Sequence, residues 1–114
     1  MSKPQIKIDQ VFHALGDPTR RSILEKLSEA PTSVTNLAGP LNVTPTAVIQ
    51  HLQILEESGL VHTEKLGRVR TCRLETTGLD VAQKWLTARR TIWDRRLDKL
   101  AVFLAEEKKN RSTS

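Results

Sequence analysis

Cysteine is nearly absent: Cys72 is the only one in 114 residues. An intrachain disulfide framework is therefore excluded, as is redox sensing by a cysteine pair. Cys72 falls in an extended segment and reads as a small buried apolar side chain. Histidine is scarce too. His13, His51 and His62 are far apart and fall in three different elements. A zinc site needs three or four converging nitrogen or sulfur ligands, so no metal and no cofactor is expected. No glycine-rich phosphate loop, nucleophile motif or evident carboxylate pair is present, and no enzyme is expected. His51 as a general base would have no nucleophile placed beside it by the sequence. No apolar run is long enough to span a bilayer, and the N-terminus has no signal-peptide pattern. The expectation is a soluble, cytoplasmic chain with no membrane partner.

What is present is positive charge, unevenly spread. The chain carries a formal +5. Residues 1–58 are slightly acidic, whereas residues 59–75 hold four basic side chains against two acidic ones. Lys65, Arg68, Arg70 and Arg73 cluster there. A basic balance favours a polyanionic partner, weakly when overall and more strongly when local. The length suits one domain with one core. Residues 1–7 read as a loose arm, 8–109 as the domain and 110–114 as a disordered polar tail.

Ile8 to Leu15 forms a first helix, with Ile8, Val11, Phe12 and Leu15 on one face and Gly16 at its end. Asp17-Pro18 then gives a cap followed by proline, and a second helix runs to about Glu29. Arg20 and Arg21 lie in its first turn, where the helix dipole does not favour cations. A phosphate partner would account for them. So would surface solubility or a nearby carboxylate. Ser33 caps a short third helix that ends around Gly39-Pro40-Leu41, and Asn42 tolerates a left-handed turn.

Thr44 caps the next helix and Pro45 takes its first position, where a missing N–H costs nothing. Gly59 closes it. Val48, Leu52 and Leu55 make one apolar stripe. The other face offers Thr44, Thr46, Ile49, Gln50, His51 and Gln53, with no acidic residue before Glu56. Glutamine pairs bidentately with adenine, and hydroxyl and methyl groups read thymine. The pattern suits a major groove, and also an ordinary surface helix. The helix before it, joined by a turn of three or four residues, makes a helix-turn-helix.

Beyond Gly59 the period becomes extended. Leu60 to Leu66 and Val69 to Glu75 are two strands around Gly67-Arg68. Such a basic hairpin is the wing of a winged helix-turn-helix. Arginine at its tip suits phosphates and a narrow groove, although a basic hairpin also simply protects its edges. From Thr76 or Thr77 to about Glu107 the pattern is helical again, a rod of roughly 45 Å. Its apolar stripe exceeds what the small head can cover, which points to an identical partner chain. Phe12, Trp85, Ile92, Trp93, Leu97 and Leu100 are the candidate interface. Trp85, Trp93, Phe12 and Phe103 are also candidates to line an apolar effector pocket, although such a stripe is more often plain packing. The fold class is thus mainly α with a small β-hairpin: a winged helix-turn-helix with a long C-terminal dimerisation helix.

The strings FHALGDPTRRSILEKL (Phe12 to Leu27), SVTNLAGPLNVTPTAVIQHLQILEESGLV (Ser33 to Val61) and EKLGRVRTCRLE (Glu64 to Glu75) carry a resemblance. The chain resembles ArsR-type winged-helix transcriptional regulators, from about Val11 to Leu104. It is most similar to their metal-independent branch, given KWLTARRTIWDRRLDKL in the last helix. The resemblance implies a homodimeric repressor on a partly palindromic double-stranded DNA operator, with the first and last helices forming the interface. The founding metal sensors carry cysteines in the third helix, where this chain has Val34-Thr35-Asn36-Leu37. Others place Asp and His ligands along the last helix, which here has no histidine. Ile49 stands where many relatives have serine.

The expected base-reading residues are Thr44, Thr46, Ile49, Gln50 and His51. Lys65, Arg68 and Arg70, with Arg20 and Arg21, are expected on the backbone. The alternative function is a winged-helix protein-interaction module or co-regulator without specific DNA binding.

Overall fold

The computed structural model describes residues 5–112. In order these form α1 (Ile8–Leu15), α2 (Pro18–Glu29), β1 (Thr32–Ser33), α3 (Val34–Leu41), α4 (Pro45–Glu57), β2 (Val61–Leu66), β3 (Val69–Leu74) and α5 (Thr77–Ser112). The chain divides into two compact units, one up to Ala82 and one from Gln83.

In the first unit, local chemistry sets the helix boundaries. The Asp17 carboxylate accepts from the backbone N–H of Arg20 at 2.9 Å and starts α2. Ser33 Oγ accepts from Asn36 N, and Thr44 Oγ1 from Ala47 N, starting α3 and α4. Each satisfies one of the donors that a helix start leaves orphaned. Asn42, at φ 54°, ends α3 in the left-handed conformation and makes the turn of the helix-turn-helix. Gly59 (φ 71°) and Gly67 (φ 63°) make the other two left-handed turns, after α4 and at the hairpin tip.

The stripe Val48, Leu52 and Leu55 of α4 is buried against Val11 and Ala14 of α1, Ile23 and Leu27 of α2, and Leu37 of α3. Leu60, Val61 and Cys72 close this core from the sheet side. Burial pushes the Cys72 thiol pKa up, so it stays protonated near neutral pH and packs as an apolar group.

The sheet differs from the expected two-stranded hairpin. It has three antiparallel strands in the order β1-β3-β2. β1 is only two residues long, with Thr32 opposite Cys72 and Ser33 opposite Thr71. It caps the inner edge of the hairpin and seats the start of α3 beside the wing. Of the expected N-terminal arm, residues 1–4 lie outside the described residues. Ile6 is not loose; it packs against the core.

Gly78 opens α5 against the turn after α4. Its N–H donates to Gly59 O at 2.8 Å. A Cβ at Gly78 would lie 2.2 Å from Ser58 O. Only glycine allows the two backbones to approach so closely.

The second unit is helical. α5 runs to Ser112, past the expected end near Glu107 and through Asn110–Ser112, three residues placed in a polar tail by sequence. Thr113 and Ser114 lie outside the described residues. Leu86, Trp93, Leu97, Leu100 and Leu104 recur at spacings of seven, four, three and four, and all are exposed in the single chain. Arg89 lies over the Trp85 ring, 5.0 Å from its centroid. No helix of the described residues is long and apolar enough to cross a membrane.

Candidate nucleic-acid interface

With Val48, Leu52 and Leu55 directed into the core, helical geometry turns Thr46, Gln50 and Gln53 outward along one line of α4. All three are exposed, and none makes a side-chain hydrogen bond among the described residues. Ile49 is 41 % exposed and faces the wing. Thr44 spends its hydroxyl on the cap of α4. A face of amides and hydroxyls with no internal partners is one that an aqueous or groove-bound partner must satisfy.

Between α4 and the wing lies an open cleft of about 460 Å³. Lys65, Arg68 and Arg70 line one side, with Ser33, Thr35 and Ile49 opposite. Lys65 and Arg70 are a cross-strand pair, and Arg68 sits in the turn. None of these three cations forms an ion pair among the described residues. By contrast, Arg73 approaches Glu64, which also bonds His62 at 3.0 Å. The basic cluster thus splits: three cations stay uncompensated beside α4, and the fourth is drawn to a carboxylate. The sequence reading missed Ser33 and Thr35 as cleft residues. No local signal marks them, because a two-residue strand pairing across 38 and 40 positions brings them there.

Arg20 and Arg21 sit differently from the wing cations. Arg20 is buried, only 7 % exposed. Its Nε donates to Ala14 O and one terminal nitrogen to His13 O, each at 2.9 Å. Arg21 donates to Leu15 O at 2.7 Å. Both arginines therefore cap the carbonyl end of α1. Cations in the first turn of α2 oppose that helix's dipole, but here they lie on the negative end of its neighbour, which offsets the penalty.

The remaining Arg20 nitrogen lies 3.4 Å from Nδ1 of His51. Asp17 Oδ2 is 3.9 Å from the same ring atom. The backbone N–H of Arg20 bonded to Asp17 holds its carboxyl below the ordinary carboxylate pKa; partial desolvation opposes this, and the Arg20 and His51 charges add to the lowering. His51 therefore stands at the flank of the α4 face, tied to the α1–α2 corner.

Among the described residues no group of three His, Cys, Asp or Glu side chains is placed to hold a metal ion. The fold is that of a winged helix-turn-helix, with α4 and the wing side by side. Comparison with known proteins makes the assignment narrower. The family described as bacterial regulatory protein, arsR family, matches residues 17–63. The HTH-type transcriptional regulator Rv2034 of Mycobacterium tuberculosis is 36 % identical over 99 residues, covering 87 % of this chain and 90 % of that one. An ArsR-like transcriptional regulator from Rhodococcus sp. RHA1 has a similar solved structure, with a TM-score of 0.77 at 34 % identity, covering 87 % of this chain and 91 % of that one. The homodimeric winged helix-turn-helix DNA-binding domain Mb0332 of Mycobacterium bovis, described as a possible ArsR-family regulator, has a TM-score of 0.58 at 27 % identity, covering 79 % and 81 %. This chain belongs to the ArsR family of regulators.

Proposed function

We propose that the chain is a homodimeric repressor that binds a partly palindromic operator. α4, with its cap and closing residues 44–58, enters the major groove, and the wing, residues 64–71, holds the flanking backbone or minor groove. The observation that carries this reading is the pairing of two unsatisfied surfaces. Among the described residues Thr46 and Gln50 have no hydrogen-bond partners for their side chains, and on the neighbouring wing Lys65, Arg68 and Arg70 have no counter-charge. Gln50 and Thr46 read base edges, with Ile49 against a thymine methyl and His51 at the flank. The wing cations neutralise phosphates.

Two observations support a dimer. The apolar stripe of α5 is exposed along its length in one chain, and a contiguous exposed apolar surface marks a site of association. The Mycobacterium bovis relative is homodimeric. Phe12 on α1, 38 % exposed, and Trp85, Ile92, Trp93, Leu97 and Leu100 on α5 are assigned to the interface. Two copies of α4 then address half-sites about 34 Å apart, one turn of duplex. Occupation of a promoter by such a dimer excludes the transcription machinery.

Selection of binding sites from a random duplex pool tests this reading. The expected product is a site with two inverted half-sites spaced by about 10 base pairs. Enrichment of no sequence, or of a lone half-site, would overturn it.

A further inference from the structure

His51 lies on α4 at the edge of the DNA-reading face, and the way it is held fixes which of its nitrogens faces out. A guanidinium is donor only and keeps its charge at any pH a protein survives. The Arg20 nitrogen at 3.4 Å can therefore bond His51 only if Nδ1 carries a lone pair. The competing partner, the Asp17 carboxylate, would require the opposite, a proton on Nδ1. It lies 3.9 Å away, beyond hydrogen-bond reach, and already accepts from the Arg20 backbone N–H at 2.9 Å. Arg20 itself cannot swing aside easily, because two carbonyls of α1 hold its other nitrogens.

The ring's other nitrogen, Nε2, has no hydrogen-bond partner among the described residues. Among the described residues no buried side-chain nitrogen or oxygen is left unpartnered either. Nε2 is therefore open to solvent, although the side chain as a whole is only 24 % exposed.

We infer that Arg20 is a positioning residue for DNA recognition: its guanidinium holds His51 in the Nε2–H tautomer and in one ring orientation, so that α4 presents a fixed N–H donor to an acceptor atom on the duplex. The acceptor is a phosphate oxygen or a purine N7 or O6 edge. This rests on the proposal that α4 meets DNA. It gives a buried arginine of the α1–α2 corner a part in recognition that it performs without touching nucleic acid. The two carbonyl bonds alone would serve the fold; the third places His51.

Two measurements test it, one of which needs no DNA. Imidazole nitrogen–proton NMR spectra are recorded on the full chain at mildly alkaline pH, where a histidine is ordinarily neutral. The expected result is a His51 ring with Nδ1 unprotonated and hydrogen-bonded, and with Arg20→Lys a ring that loses that bond and samples both tautomers. A proton on Nδ1 in the unmutated chain, or a ring unaffected by Arg20→Lys, overturns the inference.

The second measurement is a cycle on DNA affinity. Arg20→Lys should weaken binding by roughly fivefold in the unmutated background, the size of one lost hydrogen bond. In a His51→Gln background, whose amide has no tautomers to select, it should cost nearly nothing. Equal losses in both backgrounds would mean that Arg20 acts through the fold alone and would overturn the inference. A coupled loss of equal size on operator and random duplex places the acceptor on a phosphate; one confined to the operator places it on a base edge. A chain that binds no duplex at all would defeat the DNA-binding proposal, and the ring spectra would still decide the Arg20–His51 relationship.

Discussion

Lys65 faces Arg70 directly across the wing, strand to strand in register. Like charges opposite one another cost an antiparallel pair about 0.2–1 kcal/mol, and no carboxylate in the described chain relieves these two. On the proposed function, this pair is set against an anionic partner. Arg70→Thr should therefore leave the fold as stable or slightly more so, while weakening binding to every DNA sequence. The slope of log affinity against log salt should fall by about 0.9 for each phosphate contact removed. Thermal unfolding together with affinities over a salt series checks both halves. An unchanged slope would take the wing off the phosphates.

Gly78 tests the junction between the turn after α4 and the start of α5. Alanine there places a Cβ 2.2 Å from the Ser58 carbonyl oxygen, an atom of rigid backbone. The expected loss is more than about 2 kcal/mol, at the upper end for a single substitution. Gly39 is the control. It lies within α3, and a Cβ there meets nothing within 4 Å beyond its chain neighbours. Gly39→Ala should change stability little, because the gain in helix propensity is opposed by crowding of the new Cβ against the Pro40 ring. Denaturant unfolding should show a large loss for Gly78→Ala and little change for Gly39→Ala.

The ends of the helices were legible in the sequence because their causes are local. Asp17-Pro18, Thr44-Pro45, Asn42 and Gly59 each act within a turn of where they stand, and α1, α2, α3 and α4 begin and end at or within a residue of where those signals put them. The outward line of Thr46 and Gln50 follows from the same periodicity. β1 was not legible. Two residues carry no period, and the strand exists only because β3 lies beside it. Nor could the partners of Arg20 be read: they are backbone carbonyls, which every residue has, and a histidine 31 positions away. α5 runs past its expected end near Glu107 because Asn110 to Ser112 hold no stop signal; their polarity suits a tail, whereas Arg111 reaches back one turn to Glu107 at 3.2 Å and extends the helix.

Asp17 gives the fold an acid-side weakness. Its folded-state pKa lies below the ordinary value of 3.8, first because the Arg20 backbone N–H bonds its carboxylate. A depressed carboxyl contributes stability that is full above its unfolded pKa and is lost as pH falls through the folded one. Stability should therefore drop on acidification below about pH 4. Asp17→Asn keeps a capping oxygen but no charge, and should flatten that part of the profile. Asp17→Ala should also lose the cap, about 0.5–2 kcal/mol at any pH. Unfolding curves of the three proteins between neutral and strongly acid pH separate these effects.

Trp93 is 52 % exposed in the middle of the α5 stripe. If that stripe is the dimer seam, Trp93→Ala removes one of its largest contacts, and losses of about 2 kcal/mol or more are usual for such a residue. Sedimentation over a dilution series should then show the variant dissociating at protein concentrations at least tenfold higher than the unmutated chain. An undisturbed dimer would place the interface elsewhere.

The most direct test of the account is a titration of the unmutated chain and of Gln50→Ala against a selected operator and against a random duplex, at two salt concentrations. The account predicts selective binding that weakens with salt on both duplexes. It predicts that Gln50→Ala loses about 1–3 kcal/mol on the operator and little on random DNA. Equal losses on the two duplexes would remove Gln50 from base reading, and absence of binding to either at low salt would contradict the account as a whole.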